Sequence, residues 1–147
     1  EAKWKMVLVG EGGERSALAE QARALGIEHN VIFTGFQNTP FDYLATFDAF
    51  ILASKSEGLP RVVLEAMLLN IPVIGSQVTG TAELIDHDST GLLFPWSDVS
   101  QLAQHLDNIW SDADLRARLA AAAYQNVCHT YAIENYVSGV EAVLGAH

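Results

Sequence analysis

Two carboxylates, Glu57 and Glu65, are the residues of this chain best suited to chemistry, because they flank a predicted helix start. Pro60 suits the first position of that helix, and Gly58 has no side chain that would keep a ligand away from the backbone. The free N–H groups and the positive dipole end of such a helix favour a phosphate group. Carboxylates instead accept hydrogen bonds from hydroxyl groups. The pattern therefore predicts a ligand that carries both phosphate and hydroxyls, as a nucleotide sugar does.

A purely structural interpretation of the two acids is also open. Glu57 could complement the helix dipole, and Glu65 could be a solvated helix residue. Glu65 is, however, the only charge between Val62 and Leu69, in a segment that is apolar on nearly every face and is expected to be buried. Because an unpaired buried carboxylate is costly, this favours a ligand role for Glu65. Arg61 opposes the helix dipole and would gain from a phosphate, although a solvated arginine explains it equally well.

The composition fits one compact domain that extends over residues 1–147. Half of the 147 residues are hydrophobic, which allows a substantial core. A formal charge of −10 disfavours a general nucleic-acid or anionic-membrane surface, since phosphate groups would be repelled. Cys128 is the only cysteine, so no intrachain disulfide can form and a reducing, cytoplasmic location is expected. No apolar run approaches the length of a membrane span.

Short β-rich runs alternate with helical patterns up to Pro95. Strands are predicted over residues 6–9, 31–34, 50–53, 73–75 and 92–94. Helices are predicted over residues 16–25, 41–46, 60–69 and 82–85, and then over 99–110, 113–129 and 132–144. The alternation predicts an α/β fold with an open parallel sheet, helices on both faces and a helical C-terminal tail.

Three loops follow strands of this predicted sheet, over residues 35–37, 54–57 and 75–81. In an open parallel sheet, ligands bind beyond the carboxyl ends of the strands, where loops lead into helix N-termini. Segments that are distant in sequence could therefore line one crevice.

The remaining glycine-rich motifs have simpler explanations. Gly10-Glu11-Gly12-Gly13 departs from a dinucleotide fingerprint, because Arg15 stands where the third glycine belongs, and a tight strand-to-helix turn is expected instead. Gly80-Thr81 could close over a ligand. The segment could equally be plain capping, with Thr79 or Thr81 as the cap. We expect capping for Glu83 in the first helical turn, and a ligand contact of the Gly80 and Thr81 backbone stays open.

No metal site is predicted from the sequence. The five histidines are scattered without ligand spacing, and no Cys/His or Asp/Glu cluster resembles a zinc site. Asp86-His87-Asp88 is expected to form a polar turn before Gly91.

An ordered set of motifs resembles one enzyme family closely. Glu57–Glu65 is similar to the E-x7-E signature of the retaining family-4 glycosyltransferases of the GT-B fold. The matching surroundings are Phe33-Thr34-Gly35-Phe36, Ser56-Glu57-Gly58-Leu59-Pro60, Leu64-Glu65-Ala66-Met67, Ile71-Pro72-Val73-Ile74, Gly80-Thr81-Ala82-Glu83-Leu84-Ile85 and Thr90-Gly91-Leu92-Leu93-Phe94. The resemblance covers nearly the whole chain and implies the C-terminal, donor-binding Rossmann-like domain of such an enzyme, with three layers.

The resemblance also implies a role for each matching residue. The donor sugar would meet the catalytic candidate Glu57 and the backbone of Gly58, Leu59 and Pro60. The diphosphate would meet the N–H groups near Arg61 and Val62. The ribose hydroxyls would bind Glu65. The nucleobase would lie against Gly35, Phe36 and Gln37.

In this family a nucleotide-diphosphate sugar, here expected to be UDP-linked, is transferred with retention and without a metal or other cofactor. The implied acceptor is a glycan or a lipid-linked glycan in polysaccharide biosynthesis. The family's Arg and Lys that neutralise the diphosphate would lie upstream of Glu1, together with the acceptor-binding N-terminal domain. We therefore expect a fragment of a longer chain that is inactive alone and whose parent could contact the inner face of a membrane.

Two other classes of protein are conceivable. A non-catalytic sugar-nucleotide binding or regulatory module would share the same site without a catalytic partner domain. A phospho-receiver domain needs acidic residues at its strand ends, where this chain has Gly10, Gly35 and Ser54. The second alternative is therefore disfavoured.

Overall fold

The computed structural model of the chain describes residues 4–131. These residues form two compact units, one of which ends at Leu44 and the other of which begins at Ala45. The single domain over 1–147 stays a prediction, and the helix expected over 132–144 lies outside the described residues.

The described part of the first unit contains two parallel strands, two α-helices and a short 3-10 helix over Glu28–Asn30. Its elements are β1 (Met6–Val9), α1 (Arg15–Ala24), β2 (Val31–Gly35) and α2 (Pro40–Leu44). Met6 of β1 pairs with Val31 of β2, and the register shifts between Leu8 and Val9. The expected turn lies between β1 and α1.

The second unit contains a three-stranded parallel sheet and four helices. Its elements are β3 (Phe50–Leu52), α3 (Arg61–Leu68), β4 (Val73–Ser76), α4 (Thr79–Leu84), β5 (Leu92–Phe94), α5 (Val99–Ser111) and α6 (Ala113–Thr130). The strand order is β3-β4-β5, so β4 is central. Helices α5 and α6 confirm the predicted helical tail as far as Thr130.

Both faces of the central strand β4 are covered. On one face Ile74 joins Phe94, Ile109 of α5 and Leu119 of α6 in a buried hydrophobic cluster. On the other face Gly75 leaves space that α4 fills, since an added Cβ at this position would lie 2.5 Å from Thr81 Cγ2. The predicted arrangement of helices on both faces of a parallel sheet is confirmed in this unit.

Two aspartates begin the C-terminal helices. Asp98 Oδ1 accepts a hydrogen bond from Gln101 N at 3.0 Å, and Asp112 Oδ1 accepts one from Leu115 N at 2.9 Å. Each bond satisfies a backbone N–H group that has no partner within its helix. The two aspartates are therefore local sequence signals for the starts of α5 and α6.

The predicted starts of α3 and α4 are wrong. Helix α3 begins at Arg61, and Pro60 is the N-cap with an extended ψ of 91° rather than the first helical residue. Helix α4 begins at Thr79 after the N-cap Val78, without a side-chain cap. Thr81 is instead fully buried because α4 lies directly against β4, so neither predicted threonine caps this helix.

Candidate functional site

The loop that joins β3 to α3 lies at the carboxyl end of the parallel sheet in the second unit. Glu57 is half-buried in this loop, Gly58 and Leu59 are exposed, and Pro60 is buried. The loop therefore holds the first predicted acid on a backbone that remains open to solvent. This placement agrees with the general position of ligand sites in such sheets.

Ser76 anchors the beginning of the loop. Its side chain is completely buried at the end of β4, and its hydroxyl donates a hydrogen bond of 2.6 Å to Ser54 O. The backbone after β3 is thereby fixed to the end of the neighbouring strand. Sequence reasoning missed Ser76, because nothing in a serine at a strand end indicates a partner 22 residues away.

Gly80 of α4 anchors the middle of the loop. Its N–H group donates to Glu57 O over 3.3 Å. A Cβ added at Gly80 would lie 2.6 Å from the Gly58 carbonyl carbon and 2.8 Å from Glu57 O, so no side chain fits without a backbone shift. Two of the three loops predicted to converge, 54–57 and 75–81, are thus in contact within this unit.

Four backbone N–H groups at the junction of the loop and α3 have no hydrogen-bond partner in the described part of the chain: those of Gly58, Leu59, Arg61 and Val62. The helix dipole adds partial positive charge at the same place. Such a group of N–H donors suits an anion or the oxygen atoms of a polyol.

The two predicted acids lie on this same segment, and within residues 4–131 neither carboxylate has an ion pair or a hydrogen bond. Glu65 is half-buried on α3, whereas Val63, Ala66 and Met67 form the buried face of the helix. The expectation that the segment is buried on nearly every side is therefore wrong for Glu65. Partial exposure lowers the cost of its charge, and it also leaves the carboxylate accessible to a ligand.

The four Lys and Arg side chains among the described residues of the second unit differ in whether they have a hydrogen-bond partner. The guanidinium groups of Arg116 and Arg118 donate to the carbonyls of residues 109 and 88. Lys55 lies over the Trp96 ring at 5.4 Å, and Arg61 is exposed at the start of α3. The two cations without a hydrogen bond to the described chain are therefore those nearest in sequence to Glu57. This distribution favours an anionic ligand in an otherwise acidic chain.

The predicted nucleobase loop belongs to the first unit. Gly35 adopts a positive φ of 69°, and its carbonyl accepts a hydrogen bond of 3.0 Å from Gly10 N. Phe36 is 68% exposed, and Gln37 Nε2 donates to Thr34 O at 2.9 Å. The loop therefore presents an aromatic ring to solvent on a fixed backbone, and its contact with a nucleobase stays a prediction.

An open depression of about 630 Å³ adjoins this loop within the first unit. Its lining residues are Glu11, Gly12, Arg15, Thr34 and Gly35. Arg15 also lies over the Phe33 ring at 5.6 Å. Apart from Gly35, sequence reasoning assigned no ligand role to these residues. Glu11, Gly12 and Arg15 belong to the segment that departs from the dinucleotide fingerprint.

The other sequence predictions have simple outcomes. Asp86, His87 and Asp88 form the expected turn, in which Asp88 N donates to Gly91 O at 2.9 Å. Cys128 is an exposed free thiol. Residues 4–131 contain no group of three His, Cys, Asp or Glu side chains able to hold a metal ion. Among the same residues, no helix combines the length and the hydropathy needed to span a membrane.

The motif set, the parallel sheet and the open helix start agree with one known family. The family described as "Glycosyl transferases group 1" matches residues 1–126. The chain belongs to this family.

Two relatives show what kinds of protein this chain is similar to. The chain is 32% identical over 139 residues to the N-acetyl-alpha-D-glucosaminyl L-malate synthase of Bacillus anthracis, an alignment that covers 95% of this chain and 36% of the synthase. It is 32% identical over 120 residues to the lipopolysaccharide core biosynthesis glycosyltransferase LpsD of Rhizobium meliloti, which covers 82% of this chain and 35% of LpsD. The chain thus spans about a third of the length of these relatives.

Solved structures confirm the predicted fold class. HepE of Anabaena, crystallised in complex with UDP, matches with a TM-score of 0.90 and 25% identity over 100% of this chain and 42% of HepE. The C-terminal domain of the group 1 protein LpcC of Francisella tularensis matches with a TM-score of 0.79 and 29% identity over 87% of this chain and 70% of that domain structure. The chain therefore has the Rossmann-like α/β fold of GT-B glycosyltransferases.

Proposed function

We propose that this chain is the donor-binding part of a retaining, family-4 glycosyltransferase and that it binds a nucleotide-diphosphate sugar. The observation that carries the proposal is the set of unpartnered N–H groups from Gly58 to Val62, flanked by the accessible carboxylates of Glu57 and Glu65. Backbone N–H groups suit phosphate and sugar oxygens, whereas carboxylates suit hydroxyl groups. One ligand with both kinds of group satisfies the whole segment.

The proposed roles follow the chemistry of each group. The N–H groups of Arg61 and Val62 bind the diphosphate, and the Arg61 side chain can add its charge. Glu65 accepts hydrogen bonds from the ribose hydroxyls. Glu57 and the backbone of residues 58–60 meet the donor sugar. Gly35, Phe36 and Gln37 lie against the nucleobase. UDP is the proposed nucleotide, and its presence in the HepE structure supports this choice.

The proposed reaction transfers the sugar with retention to a glycan or lipid-linked acceptor, with no metal cofactor. Charge on the departing diphosphate must be stabilised, and one helix start supplies only part of this stabilisation. We propose that an Arg and a Lys from another part of a longer parent chain supply the remainder and that its N-terminal domain binds the acceptor, so the 147-residue chain alone binds the donor but does not transfer it. The proposed location is the cytoplasm, with possible peripheral contact of the parent with a membrane.

Calorimetric titration of the chain with UDP tests this proposal. Glu65→Gln keeps the shape of the side chain and removes its charge, and we expect it to weaken UDP binding about tenfold, as loss of a charge-assisted hydrogen bond predicts. Glu83→Gln is the matched control, because Glu83 is exposed on α4 and has no assigned contact. Equal affinities of both variants and the unmodified chain would refute the ribose assignment. Absence of any UDP or GDP binding would refute the proposed function.

A further inference from the structure

The carbonyl groups of the β3–α3 loop point toward α4. Glu57 O accepts the hydrogen bond from Gly80 N. The Gly58 carbonyl also faces Gly80, since its oxygen would lie closer than its carbon to a Cβ added there. Two consecutive peptide groups therefore direct their oxygens to the same glycine.

The N–H groups of these two peptides must then point the opposite way. The described chain contains no cis peptide bond, and in a trans peptide the N–H and C=O groups are antiparallel. The N–H groups of Gly58 and Leu59 therefore point away from α4. Neither has a partner among residues 4–131, and both residues are exposed, Leu59 by 58%. The contact at Gly80 thus creates two parallel hydrogen-bond donors on the open side of the loop.

We infer that Gly80 is a positioning residue, which aims the N–H groups of Gly58 and Leu59 at oxygen atoms of the donor sugar. This inference rests on the proposed function and extends it to a residue outside the loop. Gly80 touches no ligand and acts only through the direction of two peptide groups. Ser76 supports the same arrangement, because its hydroxyl holds Ser54 O at 2.6 Å at the start of the loop.

Only glycine fits this position without a shift of the backbone. Any Cβ at residue 80 requires the loop backbone to move, because the contacting atoms belong to peptide groups and not to flexible side chains. A displaced loop would rotate the peptides of Gly58 and Leu59 and redirect both N–H groups. The start of α3 at Arg61 and Val62 follows the buried Pro60 and belongs to a regular helix, so the phosphate-directed N–H groups would change less.

The inference is tested by titrating the unmodified chain and Gly80→Ala with UDP and with UDP-glucose, UDP-galactose and UDP-N-acetylglucosamine. For the sugar that the unmodified chain binds most tightly, we expect Gly80→Ala to weaken binding about tenfold, which corresponds to about 1.4 kcal/mol. UDP binding should change less than threefold. A merely structural role would weaken both ligands equally.

Gly91→Ala is the matched control. A Cβ at Gly91 would lie 2.8 Å from Val73 O, a comparable clash that is located just before β5 and away from the loop. We expect both glycine variants to lower the melting temperature, and Gly91→Ala to leave the ratio of UDP-sugar to UDP affinity unchanged. The same change of ratio in both glycine variants would overturn the inference.

Amide NMR of the unmodified, ¹⁵N-labelled chain provides a second test, which does not depend on whether Gly80→Ala folds. The Gly58 and Leu59 amide signals should shift more with the UDP-sugar than with UDP, whereas those of Arg61 and Val62 should respond to both. If UDP binds but the Gly58 and Leu59 amide signals shift no more with the UDP-sugar than with UDP, the inference fails and the proposed function stands. If no nucleotide shifts any signal, the proposed function itself fails.

Discussion

Replacement of Ser76 by alanine should destabilise the chain through one buried hydrogen bond. The hydroxyl is fully buried and donates to Ser54 O over 2.6 Å. Its removal leaves a carbonyl without a partner in a place that water reaches poorly, which costs about 1–3 kcal/mol. Because Ser54 is half-buried, we expect the free energy of unfolding to fall by an amount near the middle of this range, about 2 kcal/mol. For a chain of this size that lowers the melting temperature by about 6 °C.

Urea denaturation followed by circular dichroism measures this change, and Ser111→Ala is the control. The Ser111 hydroxyl donates to Asp107 O over 2.7 Å, a bond of the same kind on the exposed surface of α5. Water replaces the lost partner there, and alanine favours the helix, so the free energy of unfolding should change by less than about 0.5 kcal/mol. If the free energies of unfolding of the two variants differ by less than about 0.5 kcal/mol, burial does not strengthen the contribution of the Ser76 hydrogen bond, and our reasoning is refuted.

Two further substitutions test other features of the second unit. The added methyl group of Gly58→Ala would meet no atom of the chain within 4 Å, so the free energy of unfolding should stay within about 0.5 kcal/mol. We expect UDP-glucose binding to weaken at least about fivefold. Calorimetry that finds unchanged affinity would show that no ligand approaches Gly58. Ser97 has a positive φ of 76° in the turn in which Asp98 N donates to Pro95 O. Ser97→Gly should therefore raise the free energy of unfolding by about 0.5–1 kcal/mol, and a loss of stability in urea would contradict the strain argument.

Much of the fold follows from local sequence patterns. The short apolar runs predicted strands that begin at Met6, Val31, Phe50, Val73 and Leu92, as observed. Capping residues such as Asp98 and Asp112 are local signals, and they determine the starts of α5 and α6. The motif around Glu57 and Glu65 also identified the family, because its residue types and order are specific.

The parts that could not be predicted depend on contacts between distant segments. Nothing near Thr79 indicates that α4 begins there, because the helix is positioned by its packing on Gly75 and not by a cap. Thr81 was considered as a cap of this helix, and its side chain is instead buried against β4. The roles of Ser76 and Gly80 likewise depend on backbone atoms of the β3–α3 loop, which no sequence period encodes.

Three glycines of the second unit, Gly75, Gly80 and Gly91, lie where an added side chain would clash with a neighbouring segment. Gly75 adjoins Thr81, Gly80 adjoins the loop backbone, and a Cβ at Gly91 would approach both Val73 O and Ile85 Cγ2 within 2.9 Å. At each of these positions a neighbouring segment occupies the space that a side chain would need. Even the methyl group of alanine would lie too close to its neighbours. A substitution at any of these glycines must therefore move a neighbouring segment, so the distances between β4, α4 and the β3–α3 loop are coupled to one another.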